Sequence, residues 1–406
     1  MGCALRGAGS RVRAGAELSD LKVSIAVHGR YHAFNLARGL HEKGCLAQLA
    51  TTYPGFAARR FLPPGVRIRS AARFEIWRRL ASRFSFVPRA DPEVSIGFGR
   101  FAARTLPEDA NLLVGWSSAI REAIEPAQAR GMKVCVERGS THILHQDRVL
   151  REASARSGLA PPGTPAEIID RELWEYDNAD AIAVPTRFAA STFIAEGIAA
   201  EKLIVNPYGV DPDAFDPPSE PPSESPVGPC RILFAGSVGV RKGVPDLLQA
   251  FDKMTPGTEL HLAGPLEPGM AELIAGYHRP GLIVHGPLAF ASLRELYRSS
   301  NVFCLPSIEE GFAQVLLQAM ASGLPVVTTD VAGGAELVSA GENGLIVPVG
   351  DPDALAAALS DLASDPQRTW DMGRNARGRI ETAFRWSHYV DRAVSAYEKL
   401  VFGEAS

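Results

Sequence analysis

The 406-residue chain predicts an α/β protein made of two doubly wound, Rossmann-like domains. Three observations carry that reading. Apolar runs of strand length alternate with stretches of helical spacing, the pattern of a parallel sheet with crossover helices. The pattern starts afresh after Asp216 to Pro229, where six prolines stand among serines and glutamates and the chain can neither pair in a sheet nor continue a helix. The length, finally, suits two cores better than one.

In the first half, Lys22 to Val27 reads as a buried strand, His28-Gly29-Arg30 as the loop after it, and Phe34 to Lys43 as a helix stopped by Gly44. Further strands are expected at 45–51, 111–116, 133–137, 179–185 and 202–206. The second half repeats the grammar, with a strand at Cys230 to Ala235, a loop from Gly236 to Gly243 and a helix from Val244 to Met254. Strands at 259–263, 282–285, 302–305, 325–329 and 344–347 follow, and a last helix spans Trp386 to Leu400. The organisation expected is a disordered tail or mis-assigned start (1–20), a first domain (21–212), a Pro-rich linker (213–229), a second domain (230–384) and a C-terminal helical segment (385–406).

At 46% hydrophobic and 22% charged residues, the composition is that of a globular protein. No run of eighteen apolar residues signals a membrane span. The first twenty residues hold Arg6, Arg11 and Arg13 without the apolar stretch of a signal peptide. Cys3, Cys45, Cys135, Cys230 and Cys304 stand far apart, so neither a zinc site nor a redox pair is indicated, and a reducing cytoplasm fits. A net charge of −4 argues against a general nucleic-acid binder. Residues 56–105 depart from the average, with eleven arginines against Glu75, Asp91 and Glu93, and with Phe61, Phe74, Trp77, Phe84 and Phe86 between them. Two readings stand: a solvated basic surface over ordinary core aromatics, or a patch that meets an anionic membrane or a phosphorylated acceptor.

Two segments carry the chemistry. In Leu305 to Val327 a strand ends, a polar loop presents Glu309 and Glu310, Gly311 permits close backbone approach, and a helix runs from about Ala313 to Ala321. Free N–H groups at Gly311, Phe312 and Ala313, with the positive end of the helix dipole, would favour a diphosphate. A carboxylate such as Glu310 suits sugar hydroxyls instead. In Phe234 to Gly243, Gly236 and Ser237 form a permissive loop after a strand, and Arg241-Lys242 puts two cations before a helix. Departing diphosphate needs such charge. The spacing is neither that of a Walker A loop nor Gly-x-Gly-x-x-Gly, so neither a P-loop nor a nicotinamide dinucleotide is supported. The bland alternative, exposed charges around a helix start, stands beside both.

Together, in this order, the two segments resemble the family-4 retaining glycosyltransferases of the GT-B fold, over nearly the whole chain from Lys22 to about Leu400. The resemblance implies two facing domains, the first for the acceptor and the second for the donor, with the last helix crossing back onto the first. It implies a nucleotide-sugar donor, UDP- or GDP-linked, a glycan or lipid-linked acceptor, and retention of configuration without a metal. A role in cell-envelope or extracellular polysaccharide synthesis at the cytoplasmic membrane face would follow. The family signature is Glu, seven residues, Glu. Here Glu310 matches the first position, for the donor sugar, and Gln318 replaces the second, for the ribose; an amide still donates and accepts. Ser237 stands where the family often has Arg, with Arg241-Lys242 as compensation. Gly29 matches the loop near the donor phosphates. His142 is the candidate for the family's histidine near the donor sugar, with His145 and Glu137 as rivals and a structural histidine as the plain alternative. Arg187 resembles a cleft-facing position, and Asn206 to Asp211 a hinge segment. An epimerase or phosphorylase on the same fold, or a nucleotide-sugar-binding scaffold without activity, are the competing readings.

Overall fold

The computed structural model describes residues 20–83, 91–159, 163–218, 220 and 228–403. Most of the expected N-terminal tail, residues 84–90 of the Arg-rich region and most of the Pro-rich stretch lie outside them.

The first sheet has seven strands: β1 (Val23–Val27), β2 (Leu46–Thr51), β3 (Ile68–Ser70), β4 (Leu112–Trp116), β5 (Lys133–Glu137), β6 (Ala181–Val184) and β7 (Leu203–Val205), in the order β3-β2-β1-β4-β5-β6-β7. The second has six: β8 (Cys230–Ala235), β9 (Thr258–Ala263), β10 (Leu282–Gly286), β11 (Val302–Leu305), β12 (Val326–Thr328) and β13 (Gly344–Ile346), in the order β10-β9-β8-β11-β12-β13. All pairings between these strands are parallel. Covered on both faces by helices, the central strands read as continuous apolar runs, and every residue of β1 and β4 is buried. The strand β3 was not anticipated. It is a three-residue edge in the Arg-rich region with no buried residue, too short and too polar to stand out from its surroundings.

Both sheets reverse their order beside their first strand, between β1 and β4 and between β8 and β11. At such a switch point the loops leaving the two strands part company and open a crevice at the carboxyl ends. The crevices are bordered by loops 28–32 and 117–120 in the first sheet and by loops 236–243 and 306–313 in the second.

The helix Trp386–Phe402 leaves the second domain and packs on the first. Val390 lies against Gly39 of helix Ala33–Glu42 so closely that a Cβ on Gly39 would collide with it. Lys43 and Asp391 pair at 2.7 Å. Arg392 Nε donates to Asn206 Oδ1 at 3.0 Å, and Asn206 Nδ2 donates to the Tyr389 carbonyl at 3.2 Å. Tyr389, Val390 and Tyr397 thereby join a buried cluster with Leu36 and Leu40. Each such side chain contributes roughly 1.5–3 kcal/mol on burial. Among the described residues, no helix is long and apolar enough to cross a membrane.

Candidate functional site

The loops after β8 and β11 meet at the switch point of the second sheet. Gly243, at φ 69°, caps the helix Val244–Lys253, and its lack of a side chain lets the loop pass against the Pro306 carbonyl. The backbone N–H of Ile308 donates to the Arg241 carbonyl at 2.9 Å. These contacts bring Arg241 and Lys242 onto Glu309 and Glu310. Arg241 Nε donates to Glu309 Oε2 at 2.8 Å, and its Nη2 lies 3.4 Å from Glu310 Oε1. The Lys242 ammonium is in contact with Glu310 Oε2. Both cations are therefore paired with carboxylates.

Burial, and then the Arg241 guanidinium beside it, bring Lys242 down to about 7, against the pull of Glu309 and Glu267. Burial on its own would raise Glu309. Arg241 and hydrogen bonds from Thr141, Ser140 and Gln146 outweigh it, and Glu309 falls to about 2.

Other candidates sit as follows. Gly236, at φ 143°, donates its N–H to Ala263, and Ser237 Oγ donates to Glu267 at 2.8 Å. The helix begins at Gln314, one residue later than expected, with Ala313 as its N-cap. The Ala313 N–H is not free, because it donates to the Ala332 carbonyl at 3.2 Å. Phe312 is buried between Tyr208 and Phe384. Gly311 does make a close backbone approach, but in this state its neighbour is protein: a Cβ there would fall onto the Gly139 carbonyl of the first domain. Gln318 takes the Tyr297 hydroxyl on its amide oxygen at 3.3 Å.

In the first domain, Gly29 at φ 117° supports the ring of Tyr31. His142 caps the helix Ile143–Ser157, accepting the Leu144 N–H on Nδ1, and its ring packs on Tyr176 and Phe193. Burial brings it down to about 4. It is a buried, neutral capping residue here. His145 lies on the same helix beside Arg148 and Phe188. Glu137, at the end of β5, lies 3.0 Å from His32 Nε2 and accepts the Tyr389 hydroxyl at 2.9 Å. The Arg187 backbone N–H donates to Glu336 of the second domain at 2.8 Å, while its side chain is 75% exposed.

Sequence reasoning missed Arg138, Ser140, Thr141 and Gln146, which gather around Glu309 from the first domain. Nothing local in the sequence marks Ser140 and Thr141 as partners of a loop some 168 residues away.

The family model "Glycosyl transferases group 1" matches residues 229–365. A D-inositol 3-phosphate glycosyltransferase of Paenarthrobacter aurescens is 29% identical over 277 residues, 64% of this chain and 67% of that protein. An MMP α-(1→4)-mannosyltransferase of Mycolicibacterium hassiacum is 33% identical over 236 residues, 57% of this chain and 54% of that protein. Among solved structures, sucrose-phosphate synthase of Thermosynechococcus elongatus superposes with a TM-score of 0.70 at 21% identity, over 94% of this chain and 99% of that one. HepE of Anabaena, solved with UDP and glucose, superposes at 0.65 and 15% identity, over 93% and 100% of the two chains.

Proposed function

We propose that the chain is a glycosyltransferase of the family-4 type with the GT-B fold and that it moves a sugar, with retention and without a metal, from a UDP- or GDP-linked donor to a glycan or lipid-linked acceptor. The carrying observation is the convergence of Arg241, Lys242 and Glu310 at the second switch point. The donor diphosphate would displace Glu310 from Arg241 and Lys242, which then hold it by a planar fork and a point charge. Glu310, released, is free to accept hydrogen bonds from sugar hydroxyls. The bond between the anomeric carbon and the phosphate oxygen breaks as the acceptor oxygen forms its own bond on the same face. The acceptor proton passes to the departing phosphate oxygen, and the two cations stabilise the growing negative charge. Gln318 would serve the ribose through its amide group.

The test is a transfer assay with UDP- and GDP-sugars over a panel of glycan and lipid-linked acceptors, the product's anomeric configuration being read by NMR. The configuration of the donor is expected in the product. Arg241→Ala/Lys242→Ala should lower turnover at least 100-fold, taking ~100-fold or more per lost donor to a developing oxyanion. An inverted product or full turnover in the double variant contradicts the reading.

A place in cell-envelope or extracellular polysaccharide synthesis, at an anionic membrane face, belongs to the same proposal. Its support is the segment 56–80, in which Phe56, Ile76 and Leu80 are exposed, as are Arg59, Arg60, Arg67, Arg69 and Arg73. Such a mixture of apolar anchors and cations favours an anionic interface. Sedimentation with phosphatidylglycerol vesicles at low salt should carry the protein down, and Arg59→Glu/Arg73→Glu should release it. Indifference of the wild type to those vesicles rejects the membrane contact.

A further inference from the structure

Glu310 belongs to the donor reading; its neighbour Glu309 is occupied elsewhere. Glu309 is 1% exposed, yet both of its oxygens are satisfied, and mostly by the other domain. Oε1 accepts from Ser140 Oγ at 2.7 Å and Thr141 Oγ1 at 2.6 Å, with the Thr141 N–H at 3.4 Å. Oε2 accepts from Gln146 Nε2 at 3.0 Å and, within its own domain, from Arg241 Nε at 2.8 Å. A carboxylate is the side chain that can accept all of these at once.

The receiving loop is held ready from behind. Arg138, buried and ion-paired with Glu172 at 2.9 Å, donates to the Thr141 carbonyl at 3.1 Å and to Gln146 Oε1 at 2.8 Å. The second of these fixes the Gln146 amide with its NH2 toward Glu309. Around this polar centre the domains meet through small apolar contacts. Ala153 of the helix Ile143–Ser157 clusters with Val240 and Ile308 of the second domain, and Gly311 lies against Gly139.

We propose that Glu309 is a positioning residue, a latch that holds the first domain's Ser140–Gln146 loop closed on the second domain and fixes Arg241 where the donor diphosphate is to bind. Pulling the domains apart strips a buried carboxylate of four of its five partners, so opening at this loop carries an electrostatic cost. Arg241 touches both the latch and the diphosphate, and the two equilibria are thereby coupled: closure favours nucleotide binding, and nucleotide binding favours closure by the same factor. The effect on nucleotide affinity rests on the donor-site reading; the effect on shape does not.

The experiment compares ligand-free wild type with Glu309→Ala, Glu309→Gln and Ser140→Ala/Thr141→Val, by small-angle scattering and by hydrogen exchange over residues 139–146. The last variant leaves the carboxylate and its Arg241 pair in place and guards against a Glu309 variant that fails to fold. All three variants should show a larger radius of gyration and faster exchange in this loop than wild type. Calorimetry with UDP and GDP is the second arm. Glu309→Gln should weaken binding about tenfold, the worth of a charge-assisted hydrogen bond, and Ser140→Ala/Thr141→Val should weaken it less, because Arg241 keeps its partner. Wild-type scattering and exchange in folded variants overturn the latch. Opened variants of a wild type that binds neither nucleotide uphold the latch and refute the donor site instead.

Discussion

Lys242 is pulled in opposite directions by folding and by binding. Its proton is held less tightly in the folded chain, at about 7, than in the unfolded one, near the ordinary lysine value. The unfolded state therefore binds more protons between pH 7 and about 10.4, and this residue's contribution to stability improves as pH rises through that window. A diphosphate, by contrast, needs the ammonium. Nucleotide affinity should fall as pH rises above 7, by up to about tenfold per unit until the proton affinity of the bound state is reached. Calorimetry of the wild type at pH 6.5 and 8.5 checks this, and Lys242→Arg, which stays charged, should flatten the profile. An unchanged affinity in the wild type would mean that Lys242 does not meet the phosphates.

Single residues were legible to different degrees. Arg241, Lys242 and Glu310 stand out because each lies in a glycine-bearing loop that follows a strand end. The histidines were not resolved by sequence. His142 packs on Tyr176 and Phe193, which come from two later helices, and a loop histidine looks the same whether such rings await it or a cleft does.

At the scale of elements, the long apolar strands could be read directly, because a strand buried on both faces spells out its environment. The switch points follow from strand order, which no local pattern contains. The edge strand β3 and the start of the helix at Gln314 show the limit. The first lacks an apolar signature, and at the second the Ala313 N–H donates to the Ala332 carbonyl, in the segment after the neighbouring strand β12. Gly311 teaches the same lesson. Its missing Cβ announces a close approach but does not name the neighbour, and in this closed state the neighbour is the Gly139 carbonyl.

For the whole molecule, two sheets of like topology meet through the loop after β5 and the loop after β11, and the last helix ties the second domain back to the first through Val390, Asp391 and Arg392. A sequence with two repeated halves and a proline-rich joint makes that arrangement legible in outline. The contacts that close it, Glu309 on Ser140 and Thr141 and Glu336 on the Arg187 N–H, join residues more than a hundred positions apart and appear only in three dimensions. The central claim is that this closed cleft carries a diphosphate site built on Arg241, Lys242 and Glu310. Its most direct test is calorimetric titration of UDP and GDP into wild type and Arg241→Ala/Lys242→Ala at pH 6.5. The account predicts that the wild type binds one of the two nucleotides and that the double variant loses at least 100-fold in affinity, taking ~10-fold or more for each charged hydrogen-bonding partner removed. Equal affinity in the two proteins, or no binding to the wild type, would contradict it.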